Sequence, residues 1–136
     1  MVLYPNTAAL IIAANIKTFL ALSTLHLYKA ISSPLSVSTV LGDLTEADYD
    51  GYTAITLTAW LNPYIDPAGG GTIQAGTKQF DFVSGGGITN NVLGFYVLDA
   101  AGALIFLGDF PTPIPMTRDG DAIPINPSTN WCAPPV

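Results

Sequence analysis

From residue 61 onward glycine and proline interrupt this chain repeatedly, and between residues 61 and 76 they leave no room for a long element. Asn62-Pro63, Asp66-Pro67, Gly69-Gly70-Gly71, Ser84-Gly85-Gly86-Gly87 and the series Pro111, Pro113, Pro115 follow one another. Each pair or run marks a turn or a strand boundary. Between them apolar and polar residues alternate, the pattern of half-buried strands. Residues 72–83 carry Phe80 and Phe82 around Asp81, and residues 88–98 carry Val92, Phe95, Tyr96 and Val97. Asp99-Ala100-Ala101-Gly102 supplies a turn-starting acid and a glycine able to take positive φ, which predicts that residues 103–110 return antiparallel beside 88–98. The three prolines at every second position each lack a ladder donor, so that stretch is expected at a sheet edge or in an extended linker. A last short strand is expected at 122–126 and a tail without periodicity at 127–136.

The first half holds the one expected helix. Asn6 or Thr7 can cap it, and residues 8–19 are rich in Ala, Leu and Ile with only Asn15, Lys17 and Thr18 polar, which predicts a helix buried nearly all round. Ile11, Ile12 and Ile16 are β-branched and keep a buried strand pair open as the competing reading. Residues 22–31 alternate as a strand, with Leu25 and Leu27 on one side and Thr24, His26, Tyr28 and Ala30 on the other. Residues 52–60 read as another strand, and residues 61–76 as a loop. The sum is six to eight short antiparallel strands, a mainly β domain of sandwich or jelly-roll-like form with one short N-terminal helix. Its expected divisions are an extended or helical segment 1–21, the β domain 22–126 and the tail 127–136.

The chain has 136 residues, enough for one domain that buries roughly 68% of its unfolded surface. Only 10% of its residues are charged, against about 25% in ordinary soluble domains. Such a surface is expected to be covered in part by other subunits. The net charge is −6, and the cations Lys17, Lys29, Lys78 and Arg118 are scattered. Nucleic acid and anionic membrane are therefore poor partners, and a basic protein surface or a divalent cation is the better complement. The apolar run 8–14 is too short to span a bilayer, and no export signal is expected.

Residues 41–60, LGDLTEADYDGYTAITLTAW, concentrate the acids. Thr45 ahead of Asp48 predicts a cap over a single helical turn, and Asp50-Gly51 a sharp reversal. Asp43, Glu46, Asp48 and Asp50 are the candidate ligands for one hard cation, but the calcium-loop spacing D-x-[DN]-x-[DN]-G is absent. They are expected to be solvated turn acids, as are Asp119 and Asp121. No metal and no cofactor is expected. The only histidine, His26, has no orienting motif beside it and reads as a packed or surface residue, so acyl transfer is not expected. The glycine runs lack the lysine and the strand-to-helix setting of a phosphate loop and read as flexible turns. A glycosidase would need two acids flanking a bond, usually from different strands, whereas these bunch in one turn.

The segment LGDLTEADYDGY, the Thr-rich strand after it, the strand GFYVLDAAGALIF and the late MTRDGDAIPI resemble small virion structural proteins of tailed bacteriophages. Asp43, Thr45, Glu46, Gly51 and Tyr52 match the stretch those proteins carry, and the resemblance brings no catalytic residue. It implies a non-enzymatic capsid decoration (cement) protein on the virion surface, a homo-oligomer with a trimer favoured, contacting the major capsid protein. Interface contacts are then expected from Tyr4 and Pro5 at one end and from Trp131, Cys132, Pro134 and Pro135 at the other. A tail or receptor-binding module is the alternative, with the loop 63–76 and Tyr49, Tyr52 and Tyr64 touching host sugars.

Overall fold

The structure is a computed structural model that describes residues 6–65, 67 and 70–131, with the backbone alone for 129–131. In chain order its elements are helix α1 (Asn6–Phe19), β1 (Ser23–Ile31), a 3-10 turn at Leu41–Asp43, β2 (Leu44–Glu46), β3 (Ile55–Leu57), β4 (Tyr64–Ile65), β5 (Gly71–Gln74), β6 (Lys78–Asp81), β7 (Asn90–Leu98), β8 (Leu104–Met116), β9 (Ala122–Ile125) and β10 (Ser128–Trp131). This is a mainly β, sandwich-like domain with one N-terminal helix, and every strand pair in it is antiparallel.

Its main sheet runs β2-β1-β7-β8, with β3 also paired to β1. β1 shows why it sits at the centre. Leu25 and Leu27 are fully buried on one pleat face, while on the other Thr24 and His26 are half-buried and Tyr28 is buried, so one face enters the main core and the other is partly covered. Each such leucine removes enough apolar surface from water to contribute about 1.5–3 kcal/mol. β7 and β8 form the expected hairpin. Asp99 Oδ1 accepts the N–H groups of Ala101 (2.9 Å) and Ala103 (2.8 Å), and Gly102 takes φ +88°. Pro111, Pro113 and Pro115 lie in β8 at the edge of this sheet; Pro115 keeps its place opposite Asn91, while Pro111 and Pro113 fall where the ladder to β7 is interrupted.

A second sheet, β10-β5-β4, carries the helix. Ala9 and Ala13 are the buried residues of α1, and they meet β5 at Gly71, where a Cβ would collide with the carbonyl oxygen of Ala9. Two small residues and a glycine allow this close approach. The helix ends where Trp60 Nε1 donates to the Leu20 carbonyl (3.0 Å) and Leu22 turns out of it at φ 61°. A third pairing, β6 with β9, packs Phe80 and Ile123 into the same core as Leu27, Val97 and Ile73.

Several expectations are corrected. The helix is not buried all round: Ile11 is 58% and Phe19 55% exposed, because only the Ala9–Ala13 stripe faces the sheet. The loop 61–76 contains β4 and β5, whose register Tyr64↔Thr72 holds them as a short hairpin across the glycines. The strand expected at 72–83 breaks at Gly76, φ +75°, into β5 and β6 of different sheets. The strand expected at 52–60 shortens to β3. Residues 128–131, expected in a tail, form β10 against β5, with Trp131 opposite Gly71.

Candidate functional site

Between Glu46 and Asp50 the chain is extended, not the expected helical turn. Ala47 and Tyr49 point into the core while Glu46 and Asp48 point outward, and Ala47 N–H donates to the Leu27 carbonyl at 2.9 Å. Burying Ala47 and Tyr49 beside β1 requires period two, which a helical turn would scatter. The four acids thereby fan out to four different places.

Asp43 accepts from Ser32 Oγ (3.1 Å) and Val40 N–H (3.0 Å), closing the loop before it. Glu46 Oε1 lies 2.7 Å from His26 Nδ1 and accepts from Tyr52 OH at 2.8 Å. Asp48 Oδ1 pairs with Lys29 Nζ (2.6 Å) and accepts from Asn90 Nδ2 (2.9 Å). Asn90, buried at the start of β7, returns the contact by accepting from the Asp48 and Tyr49 N–H groups at 2.8 and 3.0 Å. The Lys29 bond, then that of Asn90, holds the Asp48 pKa below the ordinary value.

Asp50 goes furthest. Its carboxylate accepts the backbone N–H groups of Gly85 (3.1 Å), Gly86 (2.9 Å), Gly87 (2.7 Å) and Ile88 (3.3 Å). Main-chain bonds from Asp50 N to Ile88 O (3.0 Å) and from Val83 N to Asp50 O (3.1 Å) complete the clamp. Residues 85–88 thus form a concave backbone anion site, filled by the chain's own side chain. A glycine at 87, φ +80°, lets successive N–H groups converge. Desolvation pushes the Asp50 pKa up, but the four N–H bonds outweigh it and hold it below the usual value. On the other side Asp119 accepts from Ser84 N–H (2.8 Å) and Ser84 Oγ (2.9 Å), and these bonds depress its pKa in turn. Asp121 caps the next turn through the Thr117 and Arg118 N–H groups at 2.9 and 3.1 Å. An open cleft of about 610 Å³ lies between these loops, bounded by Asp50, Ser84, Thr89, Thr117, Arg118 and Asp119.

Glu46, Asp48 and Asp119 are exposed and Asp50-Gly51 makes the expected turn, but each acid is also bonded to the chain, and the reading of Gly85-Gly86-Gly87 as a flexible turn is corrected by the bonds to Asp50. Among the described residues no three His, Cys, Asp or Glu side chains converge as a metal site. Asp43, Glu46, Asp48 and Asp50 each bind a separate part of the protein.

His26 is better connected than its sequence setting implies. Besides Glu46, its Nε2 lies 2.8 Å from Thr24 Oγ1, and its ring stacks on Tyr96 with centroids 4.9 Å apart. Hydroxyl, imidazole and carboxylate stand in a line, the order used by nucleophilic hydrolases. Neither the cleft at Asp50 nor the smaller cavity at Asp109 is lined by Thr24, His26 or Glu46. Glu46 also takes Tyr52 OH, which accepts from Leu27 N–H at 3.1 Å, and so ties β1 to β2 and to the segment after Gly51.

Tyr49 and Tyr52, expected as sugar contacts, belong to the interior. Tyr49 is 2% exposed, stacks on Phe82 and meets Tyr52 edge-on. Burial, and next the Asp81 charge, pushes its pKa up to about 12. Tyr64 alone of the three is exposed. Of the expected interface residues, Tyr4, Pro5, Cys132, Pro134 and Pro135 lie outside the described residues, and Trp131 is placed by its backbone alone. Sequence reasoning missed Asn90, Ser84 and the 85–88 anion site, whose partners lie 35 to 42 residues away. It also missed the outer face of α1, where Ile11 and Phe19 are exposed, as are Leu22, 60%, and Leu61, 48%, outside the helix.

Compared with protein-family models, curated proteins and solved structures, the chain matches none of them.

Proposed function

We propose that this chain is a non-enzymatic structural protein of a tailed-phage virion, a capsid decoration protein acting as a symmetric homo-oligomer on the major capsid protein. The observation that carries the assembly part is the outer face of α1. Ile11, Ala14, Asn15, Thr18 and Phe19 are exposed there and none is charged. Lys17, the one charged residue of the helix, is half-buried and donates to Asn62 Oδ1 at 3.1 Å. Val37, Val40 and Leu41 add a second exposed apolar stretch in the loop after β1. A monomer rarely leaves such surface to water, whereas a subunit buries it against neighbours. The virion part rests on the resemblance of LGDLTEADYDGY and its companions to phage structural proteins.

Particles assembled with and without the chain, compared under heat or osmotic shock, test this reading. Complete particles are expected to survive harsher treatment, and equal robustness removes the cement role. Copy number separates shell from tail, since hundreds per particle fit a shell and a handful fit a tail. Tyr49 is buried and Tyr52 half-buried in the core, which leaves the sugar-binding alternative to Tyr64 and the loop 63–76.

A further inference from the structure

The β7–β8 ladder pairs Val92 with Ile114 and next pairs Gly94 with Asp109, so the single residue Leu93 faces residues 110–113. Phe110-Pro111-Thr112-Pro113 accounts for the bulge, because two of these residues have no N–H to give. The displaced backbone opens a cavity of about 210 Å³ against β1. Ile31, Leu35, Leu93, Phe110 and Pro113 form its apolar walls.

Its polar end follows from register. Tyr28 pairs with Gly94, and Gly94 with Asp109, so the three lie in one row across the sheet and share a face. With no side chain at Gly94, the Tyr28 hydroxyl leans over it, 2.6 Å from where a Cβ would stand. Burial raises the Tyr28 pKa, and the Asp109 charge raises it further, which places carboxylate and hydroxyl within electrostatic reach of each other. Of the nine described acids, Asp109 alone holds no side-chain hydrogen bond or ion pair with another described residue. Every other one is occupied by the protein itself.

We propose that this cavity receives a lysine or arginine side chain of a partner protein. The methylene stem lies along Leu35, Phe110 and Pro113, and the cation is held by the Asp109 carboxylate with the Tyr28 hydroxyl oxygen as a second acceptor. Charge decides the partner's chemistry, since an unpaired carboxylate in a chain of net charge −6 attracts cations and repels anionic ligands. Size decides its form. Sites for drug-sized ligands span roughly 300–1,000 Å³, and about 210 Å³ suits one side chain. Long basic side chains carry an apolar stem and a charged head, the division this cavity shows. The inference extends the assembly reading by stating what the opposing surface presents, although binding of a small probe does not depend on that reading.

Titration of the ¹⁵N-labelled protein with N-acetyl-lysine methylamide and N-acetyl-arginine methylamide tests it. Saturable, millimolar-range shifts are expected at the amides of Leu93, Gly94, Asp109 and Phe110, with none from the neutral N-acetyl-norleucine methylamide. Asp109→Asn is expected to weaken binding about tenfold or more, as loss of a charge-assisted bond does, and Asp81→Asn to leave it unchanged. Absence of shifts, equal shifts with norleucine, or full binding by Asp109→Asn overturns the proposal. Asp109 is exposed, so its variant is expected to fold, and the unligated spectrum verifies that. A failed titration leaves the particle-stability experiment standing. Particles indifferent to the protein leave a successful titration standing.

Discussion

Residues 43–50 and helix α1 both face water, and they are built from opposite materials. The first carries four acids in eight positions, each bonded to another part of the chain, from Ser32 to the Gly85–Ile88 amides. The second has on its outer face no charge at all, and its large residues Ile11 and Phe19 are more than half exposed. Charge in this protein is an internal fastening that ties loops to sheets across long sequence distances. On the reading proposed above, contact with other molecules is left to apolar surface, with Asp109 the one acid still open among the described residues. A count of charges by itself suggests the reverse, an acidic patch presented to a partner.

Substitutions that strike the two regions separate their roles. The largest effect is expected beneath the helix. Gly71→Ala drives a methyl group into the Ala9 carbonyl and is expected to cost about 3 kcal/mol, the upper range for overpacking a tight contact. Urea unfolding followed by circular dichroism measures it, and a loss under 1 kcal/mol means that α1 is not seated on β5 as described. Next comes Asn90→Ala, which strips the acceptor from the buried Tyr49 N–H and from Asp48 N–H. An unsatisfied buried donor costs about 1–3 kcal/mol, and full stability in the same assay would show that water replaces the amide.

Acid is expected to loosen the fastened region before the helix. Asp48, Asp50, Asp119 and Asp121 all have pKa values lowered from 3.8 in the folded protein. A lowered folded-state value means that the unfolded chain binds the proton first, so their contribution is fully present above about pH 4. It is lost as pH falls through the folded-state values. Thermal melts from pH 7 to pH 2 are expected to be flat down to about pH 4 and then to decline. Asp50→Asn is expected to blunt the decline and to speed amide exchange at Gly85–Ile88 while the α1 amides stay unchanged. The smallest effect on stability belongs to Phe19→Asp, an exposed helix position, expected within about 0.5 kcal/mol. Its effect on assembly is the reverse, and sedimentation is expected to show a smaller species than the parent. An unchanged oligomer moves the contact away from α1.

Much of this fold could be read from the sequence where the signal was local. Leu25 and Leu27 announced β1, and Asp99 with Gly102 announced the β7–β8 turn. The three prolines announced an edge, because a missing N–H is a property of the residue itself. Elements whose reason lies elsewhere in the chain were not legible. Nothing in Ser128-Thr129-Asn130-Trp131 alternates, and β10 exists because β5 offers it an open ladder. Thr45 and Asp48 do form a capping pattern, but the core needs Ala47 and Tyr49, and their burial outweighs a weak local preference. The Gly85–Ile88 site gave no signal at all, since glycines become an anion site only when Asp50 arrives from 35 to 38 residues away. One line of chain discloses periodicity and turn chemistry, and it is silent on who meets whom.

The sheet β10-β5-β4 has a consequence for the order in which the protein is made. Its central strand is flanked by residues 128–131, while α1, from residues 6–19, packs on the same strand. During synthesis the helix can settle on β5 with only one of that strand's edges filled, and the other edge stays open until residue 131 has left the ribosome. Closure of so long a loop is slow compared with hairpin formation. The nascent chain therefore holds a finished β7–β8 hairpin beside an unfinished helix platform, and the surface proposed to bind neighbours reaches its final support only with the last strand.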